Sequence, residues 1–542
     1  MNTFKKKSLH AAVLAGLAAL GAAGTANAVH INPDGQGQVL VFPYYTVRNG
    51  FATAMSIVNT TSFTKIVKVR FLEGKNSREV LDFNLFLSPQ DVWTGVVIPT
   101  AAGAKLETGD NSCVTPSDLF GNAAGVIRTD GTLPINEFKN YTYISPTADN
   151  TAFGTLDRTR EGYMEVIEMG VVTNVIVTGY IKHNSAGVPA NCAALDAYDG
   201  NSISAPVTAG AAGRFAQTGG HLTSPIGGQF GRASIINSAL GSNYDFEPTA
   251  VDGWWAPAVA GTAAYFPSGD LNPNISLTTG ISTVSNVFVT GTPGVATSAG
   301  VVTANWLTSR DAVSAIFMRN TVANEFLTDA ATLSKTDWVI TMPTKKNHIS
   351  VGTGVPAVGG RPFSNNFASA TPTGACDAYS LGMYNREEQT LTAAPGVLLP
   401  SPLPPAQTAA GQVLCWEANV LEFGTTGLLG SNNNFRLLNG FDAFGTTGAT
   451  STGAAFATFT RRVLQGPNGW AFLGFGNTVA DPTQAQQSIT PASSSLNGVA
   501  DAVPRTHYGL PIIGFMVHNY TNTGVNSAYG GEVGHKFTRD IR

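Results

Sequence analysis

Charged residues are scarce in this sequence of 542 residues. Asp, Glu, Lys and Arg make up 12% of it, about half the share found in a typical soluble domain. Glycine, threonine, asparagine, serine and alanine take their place, so we expect a surface of hydroxyl and amide groups. The net charge of the full chain is −4. A concentrated basic surface of the kind that binds nucleic acid is therefore not expected.

Motifs of the common catalytic and cofactor-binding classes are also missing. The sequence contains neither a GxSxG nucleophile elbow nor a Walker loop. Its histidines stand singly, without HxH or HExxH, and no CxxC pair indicates zinc. The loop DLNPN at 270–274 begins like a calcium loop but lacks its later glycine and acid. We predict no metal and no cofactor, with calcium at this loop as the alternative.

The first 28 residues have the pattern of a bacterial secretory signal. Three lysines at 5–7 precede an uncharged apolar run, which ends at the small-residue triplet 26–28. We predict cleavage between Ala28 and Val29. No later segment reaches the length of about 18 apolar residues that indicates a spanning helix. The mature chain is therefore predicted to lack a transmembrane segment and to lie outside the bacterial cell or on its surface, with the periplasm as the alternative.

Cysteine is rare, with four residues in the whole chain. An even number of cysteines in an exported protein favours disulfides over metal ligation. Three connectivities are open, and proximity along the chain favours Cys113 with Cys192 and Cys376 with Cys415.

Short runs rich in β-branched and aromatic residues recur between Gly-, Asn- and Pro-rich turns. This pattern predicts a mainly β protein of antiparallel, immunoglobulin-like β-sandwich modules with long loops and few short helices. We place the signal peptide at 1–28 and a sandwich with an inserted loop region at 29–195. A linker follows at 196–228, and a second β-rich domain, with room for two subdomains, occupies 229–542. Within it, a Pro-rich loop is predicted at 394–410.

Four segments carry more specific predictions. NVIVTGYIKH at 174–183 is predicted to be a strand, and 311–329 a helix that begins at Asp311. An extended terminus can complete the sheet of a neighbouring copy. Segments 29–42 and 529–542 are therefore candidates for such strand exchange.

Charge is concentrated in IVKVRFLEGKNSREVLDFNLFLSPQDVW at 66–93. Its alternation predicts a hairpin with Val69 opposite Phe83, Arg70 opposite Asp82, and a turn at 75–77. In a sheet with one buried face, this register places the charged side chains on the solvated outer face. A cross-strand ion pair of that kind contributes about 0.2–1 kcal/mol. We therefore interpret these charges as structural rather than catalytic.

Glutamates near the second cysteine pair are the best catalytic candidates. A Cys376–Cys415 disulfide would bring Glu387 and Glu388 within reach of Glu417, beside several aromatic residues. Two carboxyl groups with aromatic walls are what glycoside hydrolysis uses.

The phrases SIVNTT, KIVKVRFLEGKNSREVLDFNLFLSPQDVWTG, TDWVITMPTKK and YGGEVGHKFTR resemble a group of uncharacterised exported or cell-surface proteins of Gram-negative bacteria. The resemblance implies export and a β-rich fold. It implies no activity and no site residues.

These observations favour a non-catalytic secreted or cell-surface structural protein that acts by adhesion or by self-assembly into a surface layer or filament. Its expected partners are further copies of itself, other cell-surface components, or polysaccharide. The alternative is an extracellular carbohydrate-binding protein or a carbohydrate-active enzyme that uses the paired glutamates. The tandem Trp254 and Trp255 would suit a sugar platform, but their place beside a turn favours the core.

Overall fold

The structure is a computed structural model that describes residues 28–120, 136–143, 154–199, 215, 221–256, 264–275, 280–290, 299–349, 361–363, 366–367, 375–388, 392–393, 413–423, 427–437, 443–445, 462–463, 468–476, 487–522, 524 and 527–542. The signal peptide up to residue 27, the Pro-rich loop at 394–410 and most of the linker at 196–228 lie outside these residues. Predictions on those segments stay predictions.

The described chain is mainly β, and its sheets are antiparallel apart from one parallel strand pair, β23 with β24. The strands of the first half are β1 (His30–Ile31), β2 (Val39–Thr46), β3 (Ala52–Asn59), β4 (Lys65–Glu73), β5 (Glu79–Leu87), β6 (Val92–Pro99), β7 (Ala104–Glu107), β8 (Val114–Thr115), β9 (Glu161–Val172), β10 (Leu222–Thr223), β11 (Gln229–Asn237), β12 (Ser242–Phe246) and β13 (Thr249–Asp252). Those of the second half are β14 (Val284–Val289), β15 (Gly300–Asn305), β16 (Met318–Arg319), β17 (Thr321–Leu327), β18 (Lys335–Thr341), β19 (Asp377–Ala378), β20 (Ser380–Asn385), β21 (Thr392–Ala393), β22 (Val413–Leu414), β23 (Ala418–Phe423), β24 (Asn434–Leu437), β25 (Ala443–Gly445), β26 (Arg462–Val463), β27 (Asn468–Gly474), β28 (Ser488–Ile489), β29 (Ser493–Leu496), β30 (Val499–Ala500), β31 (His507–Tyr508), β32 (Leu510–Pro511), β33 (Ile513–Asn522), β34 (Ser527–Gly534), β35 (Lys536–Thr538) and β36 (Asp540–Ile541). The immunoglobulin-like topology stays a prediction.

Helices are short in the described residues. They are α1 (Val175–Ile181), α2 (Asp196–Asp199) and α3 (Ser309–Phe317), with 3₁₀ turns at Leu156–Arg160, Cys192–Leu195 and Lys345–Asn347.

Two of these helices correct the sequence analysis. The segment 174–183 was predicted to be a strand but forms α1, because the Asn174 side chain accepts the N–H groups of Ile176 and Val177 and caps the first turn. The helix predicted at 311–329 begins earlier and ends at Phe317. Its N-cap is Thr308, whose hydroxyl accepts the Asp311 N–H, and the remainder alternates between buried and partly exposed residues as strand β17.

Two large sheets pack face to face as a β-sandwich. Sheet I has the order β1-β13-β2-β9-β4-β5-β8, with β10 beside β9, and sheet II has the order β12-β11-β3-β6-β7. One shared core lies between them and contains Phe42 and Phe83 from sheet I and Ile57 and Trp93 from sheet II. Alternation along each strand explains the arrangement, since every second side chain points toward the same core.

The sheets cross the domain boundary predicted at residue 229. Strand β11 pairs along its length with β3, and β13 pairs with β2, so 229–252 completes both layers of the first sandwich. Sheet III, with the order β25-β24-β23-β18-β33-β34, adds Val339 and Phe515 to the same core. Phe515 stacks on Phe246 with ring centroids 4.5 Å apart. This hydrophobic core therefore contains described residues from both halves of the chain.

A four-stranded sheet, sheet IV, has the order β20-β27-β17-β35. Its inner face packs Met383, Leu473 and Val322 into a separate apolar cluster with Trp338 and Trp416. Its outer face carries no covering element among the described residues and is partly exposed.

Both favoured disulfides are present. Cys113 is bonded to Cys192 and Cys376 to Cys415. The first joins the start of β8 to the turn that follows α1, and the second joins β19 to β22.

Both terminal segments proposed for strand exchange are already paired within the chain. Val29 is fully buried and bonds to β14, and β1 pairs with β13. Strands β34, β35 and β36 pair with β33, β17 and β31. Their backbone groups are used internally, so these segments do not serve as the free strands that exchange requires. In the described part of the chain, no helix has both the length and the apolar character needed to cross a membrane.

Close packing between β9 and β4 predicts a large effect of one methyl group. A Cβ at Gly162 would lie 1.9 Å from the Leu72 carbonyl oxygen, with β9 hydrogen-bonded to a neighbour on both sides. Gly162→Ala should lower the free energy of unfolding by about 1–3 kcal/mol or more. The matched control is Gly179→Ala on the exposed surface of α1, where no described atom beyond the helix's own backbone lies within 4 Å of the added Cβ and alanine should stabilise by about 0.5–1 kcal/mol. Urea unfolding of both variants tests this, and a neutral Gly162→Ala would contradict the packing.

Candidate functional site

The charged stretch at 66–93 forms the predicted hairpin. Val69 lies opposite Phe83, Arg70 opposite Asp82, and Phe71 opposite Leu81, so the predicted register is confirmed. The prediction that the charged side chains lie on a solvated outer face is wrong. Arg70 is 2% exposed and Lys68 is fully buried, because residues 264–275 cover this face of sheet I as a third layer.

The pairing of the charges also differs from the prediction. Although Arg70 lies opposite Asp82, its ion pairs are with Glu79 at 2.7 Å and Glu165 at 2.5 Å. Asp82 instead forms an ion pair with Lys68 at 2.7 Å. We call this set the charge layer; its members are Lys65, Lys68, Arg70, Glu79, Asp82, Glu165 and Glu168, all buried except the half-buried Asp82.

Burial dominates the electrostatics of the charge layer. It raises the pKa of Glu79 to about 7, although the Arg70 guanidinium acts in the opposite direction. Burial also raises the pKa of Glu165 and of Glu168. Arg70 lowers the pKa of Glu165 and Lys65 lowers that of Glu168, but burial has the larger effect in both cases. The carboxylates are enclosed and bound on both sides, so the layer offers no open position for a substrate in the described structure.

The tip of the hairpin joins distant parts of the chain. Glu73 accepts the backbone N–H groups of three turn residues and binds Arg158 through both oxygens, at 2.5 and 2.6 Å. The Lys75 ammonium lies 4.0 Å from the centre of the Trp416 ring. Lys346 donates to the Ser77 carbonyl at 2.9 Å. The predicted turn is therefore a buried contact rather than an exposed loop.

The three candidate catalytic glutamates do not share a cleft. Glu417 is fully buried, and burial raises its pKa to about 8 against the effect of Lys345. Glu387 and Glu388 are exposed in the turn that follows β20, where Asn385 caps the Glu387 N–H. The disulfide forms as expected, but the acids lie in different environments, one enclosed and two open to solvent. Two carboxyl groups that act on one glycosidic bond need to face a common substrate.

A different pair of carboxyl groups is directly opposed in sheet III. Asp337 and Glu422 are cross-strand partners in β18 and β23, and both are buried. One oxygen of Asp337 accepts the N–H groups of Leu428 and Leu429 at 2.8 Å. Burial and the Glu422 carboxylate raise the pKa of Asp337 to about 8. Both acids are enclosed, so the pair bears on stability rather than on substrate chemistry.

The loop at 270–274 uses its acid for local structure. Asp270 accepts the backbone and side-chain N–H groups of Asn272, and Asn272 accepts from Asn274. Among the described residues, no group of three or more His, Cys, Asp and Glu side chains is placed to hold a metal.

Trp254 and Trp255 lie in the core, as predicted. They are 0% and 2% exposed, and their indole N–H groups donate to the carbonyls of Ile275 and Glu168.

A cluster of aromatic side chains lies on the outer face of sheet IV, where Trp470 is 45% exposed and Tyr384 and Phe472 are half-buried. Trp470 and Phe472 are two residues apart in β27 and point to the same side, and Tyr384 is the cross-strand partner of Trp470. The Tyr384 and Trp470 rings are stacked, and the Phe472 ring is tilted against Trp470. Tyr384 and Trp470 are inclined by 18° with centroids 5.0 Å apart, and Trp470 and Phe472 by 32° at 6.0 Å. We call these three residues the aromatic face.

Gly382 allows the aromatic face to lie flat. It is the cross-strand partner of Phe472, and a Cβ at this position would lie 2.1 Å from the phenyl ring. The ring of Phe472 therefore rests over the neighbouring strand instead of standing away from it. Trp470 remains 45% exposed beside it.

Polar groups surround the aromatic face. Glu325 is the partner of Trp470 on the other side, and Lys536 lies beyond Ala323 in the row of Phe472. The hydroxyls of Thr321 and Thr538 share a hydrogen bond of 2.5 Å in the adjacent row. This surface was not predicted from the sequence, although the alternation in GWAF at 469–472 places two aromatic residues on one side of a strand.

Comparison with known proteins does not identify this arrangement. The chain matches no protein-family model, no curated protein and no solved structure.

Removing the cation at the centre of the charge layer should be strongly destabilising. Arg70→Ala leaves Glu79 and Glu165 buried without their common partner, and such a loss costs about 3–5 kcal/mol. Arg232→Ala is the matched control. The Arg232 side chain is 61% exposed, so its ion pair with Asp245 should contribute at most about 1 kcal/mol to stability. Equal losses for the two variants in urea unfolding would contradict a buried charge layer.

The Asp337 carboxyl should make stability depend on pH. Its pKa is about 8 when folded and about 3.9 when unfolded, so the unfolded chain releases this proton first. The contribution of the protonated Asp337 carboxyl to the free energy of unfolding is therefore fully present below a pH of about 4 and is lost as the pH rises toward 8. Asp337→Asn should match the wild type near pH 4 and exceed it in unfolding free energy at pH 8. An unchanged difference between the two proteins at pH 4, 6 and 8 would show that Asp337 titrates normally.

Proposed function

We propose that the protein is an exported cell-surface protein that acts by adhesion, and that the aromatic face binds polysaccharide. The observation that carries this proposal is the row of Tyr384, Trp470 and Phe472 on a sheet face that no described element covers, with Tyr384 stacked on Trp470. Aromatic side chains in a folded protein are ordinarily buried, as Trp254 and Trp255 are here. An exposed tryptophan flanked by two half-buried aromatic rings on one sheet face supports a binding surface.

The chemistry of the aromatic face suits a sugar chain. A pyranose ring has apolar C–H faces and a rim of hydroxyl groups, so it can bury one face on an indole ring while its rim remains hydrogen-bonded. Glu325, Lys536 and the threonine hydroxyls lie around the rings at the places where that rim would fall. A continuous flat strip, rather than a deep pocket, fits a polymer better than a small free molecule.

The placement of the three candidate glutamates agrees with a protein that binds polysaccharide without cleaving it. Glu387 and Glu388 follow the strand that carries Tyr384 and are exposed, whereas Glu417 is enclosed. The proposal of export rests on the signal pattern at 1–28. Two disulfides suit an oxidising compartment outside the inner membrane.

Self-assembly is a second candidate, which the outer face of sheet II favours. Val92, Val58 and Phe230 form one cross-strand row there, and Phe230 and Val92 are 41% and 47% exposed. An uncovered apolar row on a sheet can pack against the same row of a second copy. Regular filaments or lattices in electron micrographs of the purified protein would favour this candidate, while a monodisperse particle would leave adhesion as the function.

Trp470→Ala should abolish most polysaccharide binding by the mature chain. Removing the exposed indole takes away the largest stacking surface, and a loss of about 1.4 kcal/mol or more raises the Kd at least tenfold. Affinity electrophoresis and pull-down on a panel of neutral and acidic polysaccharides measure the effect.

The matched control for this experiment is Tyr529→Ala, which removes a side chain that is 58% exposed on sheet III. It should bind as the wild type does. Absence of binding to every polysaccharide by the wild type, or equal losses for the two variants, would contradict the proposed function.

A further inference from the structure

Two arginine side chains meet at the end of helix α3. Arg319 in β16 is 5% exposed, and Arg539, between β35 and β36, is half-buried. Nη1 of Arg319 and Nη2 of Arg539 each donate to the Ile316 carbonyl at 3.0 Å, so two guanidinium groups share one oxygen. The Phe537 ring lies against both, 3.8 Å from Cζ of Arg319 and 5.5 Å from Cζ of Arg539. We call these two residues the arginine pair.

Most of the charge of the arginine pair is not balanced within the described structure. Their hydrogen bonds go to the carbonyls of Ile316, Met318 and Phe288, and no described carboxylate forms an ion pair with either. The neighbouring Asp540 is bound by Arg542 at 2.8 Å. The C-terminus of α3 supplies about half a negative charge, against two full positive charges. Burial lowers the pKa of both arginines below the ordinary range, and their mutual repulsion adds to this for Arg319.

Further polar atoms beside the arginine pair lack partners. Among the described residues, the buried Nε of Arg539 has no acceptor, and the fully buried His507 has no hydrogen bond at either ring nitrogen. Burial and the Arg539 guanidinium lower the pKa of His507 to about 3, so its imidazole is neutral at pH 7 and keeps one N–H to donate. Trp306 closes the far side, with its ring centroid 5.3 Å from that of His507.

We propose that the arginine pair is a binding site for an oxyanion of the phosphate or sulfate class. Buried cations are costly unless an anion or a strong acceptor satisfies them. Planar guanidinium groups present paired N–H donors that match the oxygens of a tetrahedral anion. The site lies next to the surface: Phe537 and Phe288 are 49% and 58% exposed, Arg539 is half-buried, and its Nη1 donates to the Phe288 carbonyl at 3.4 Å. The anion is either a free inorganic ion or an ester group on a sugar chain.

This site is independent of the aromatic face. Trp470 and Phe472 point to the outer side of sheet IV. Phe537 instead pairs with Val322 in the row that faces the inner apolar cluster. Loss of one site therefore leaves the other intact, and the two proposals can fail separately.

Titration of the mature chain with sodium phosphate and with sodium sulfate, each compared with sodium chloride at equal ionic strength, tests the site. Thermal unfolding should show a saturable rise of the midpoint with the oxyanions beyond that with chloride, as expected for a ligand of the folded state. Calorimetric titration should give a Kd that Arg539→Gln raises at least tenfold. Arg232→Gln, which removes an exposed arginine on sheet II, should leave the Kd unchanged.

A sulfated oligosaccharide and its unsulfated counterpart separate the two sources of the anion. Binding that needs the sulfate ester, is lost in Arg539→Gln and persists in Trp470→Ala identifies the ester group. Binding of the inorganic ion alone identifies the free anion.

If Arg539→Gln does not fold, Arg539→Lys keeps the charge but removes the planar donor pair and should still raise the Kd severalfold. Midpoints that respond identically to phosphate, sulfate and chloride would overturn the proposal, as would an unchanged Kd in the folded Arg539 variant.

Discussion

The charge layer beneath sheet I is the constraint on which the rest of the fold depends. Arg70 is 2% exposed and is held between Glu79 and Glu165. A shift of β4 by one residue would send Arg70 into the apolar core on the other face. Because a buried ion without its partner is far more costly than a lost apolar contact, the layer permits one register between β4 and its neighbours β5 and β9. The apolar face alone would tolerate any shift by an even number of residues.

The same layer makes distant segments depend on each other. Carbonyl and amide groups from 264–275 complete the bonds of Lys68 and Glu165. The hairpin tip, between β4 and β5, reaches Trp416 and the segment at 343–346. The polar face of sheet I is therefore satisfied only after both halves of the chain have met. This explains why the strands cross the boundary at 229 and why one apolar core contains residues from both halves.

Sequence patterns predicted what depends on neighbours along the chain. The hairpin register follows from alternation, and the disulfide pairing follows from proximity. Patterns did not predict what covers a face. Alternation in 66–93 separates Val69 from Arg70 but is identical whether the second face meets water or a third layer. The early end of α3 is a tertiary effect of the same kind, because 321–327 becomes a strand through pairing with β27 and β35.

At the candidate site, sequence patterns likewise do not predict which aromatic residues are exposed. GWW at 253–255 and GWAF at 469–472 both place tryptophan after glycine in a strand-rich segment, yet the first lies in the core and the second on the surface. The surroundings of the second come from a strand more than 80 residues away along the chain, since Gly382 gives Phe472 room to lie flat and the Tyr384 ring stacks on Trp470. Sheet IV can keep this aromatic face open because its stability comes from the opposite side, where Met383, Leu473 and Val322 are buried. A rigid apolar support beneath an uncovered aromatic row holds the rings in place before any ligand arrives, which reduces the entropy that binding has to overcome.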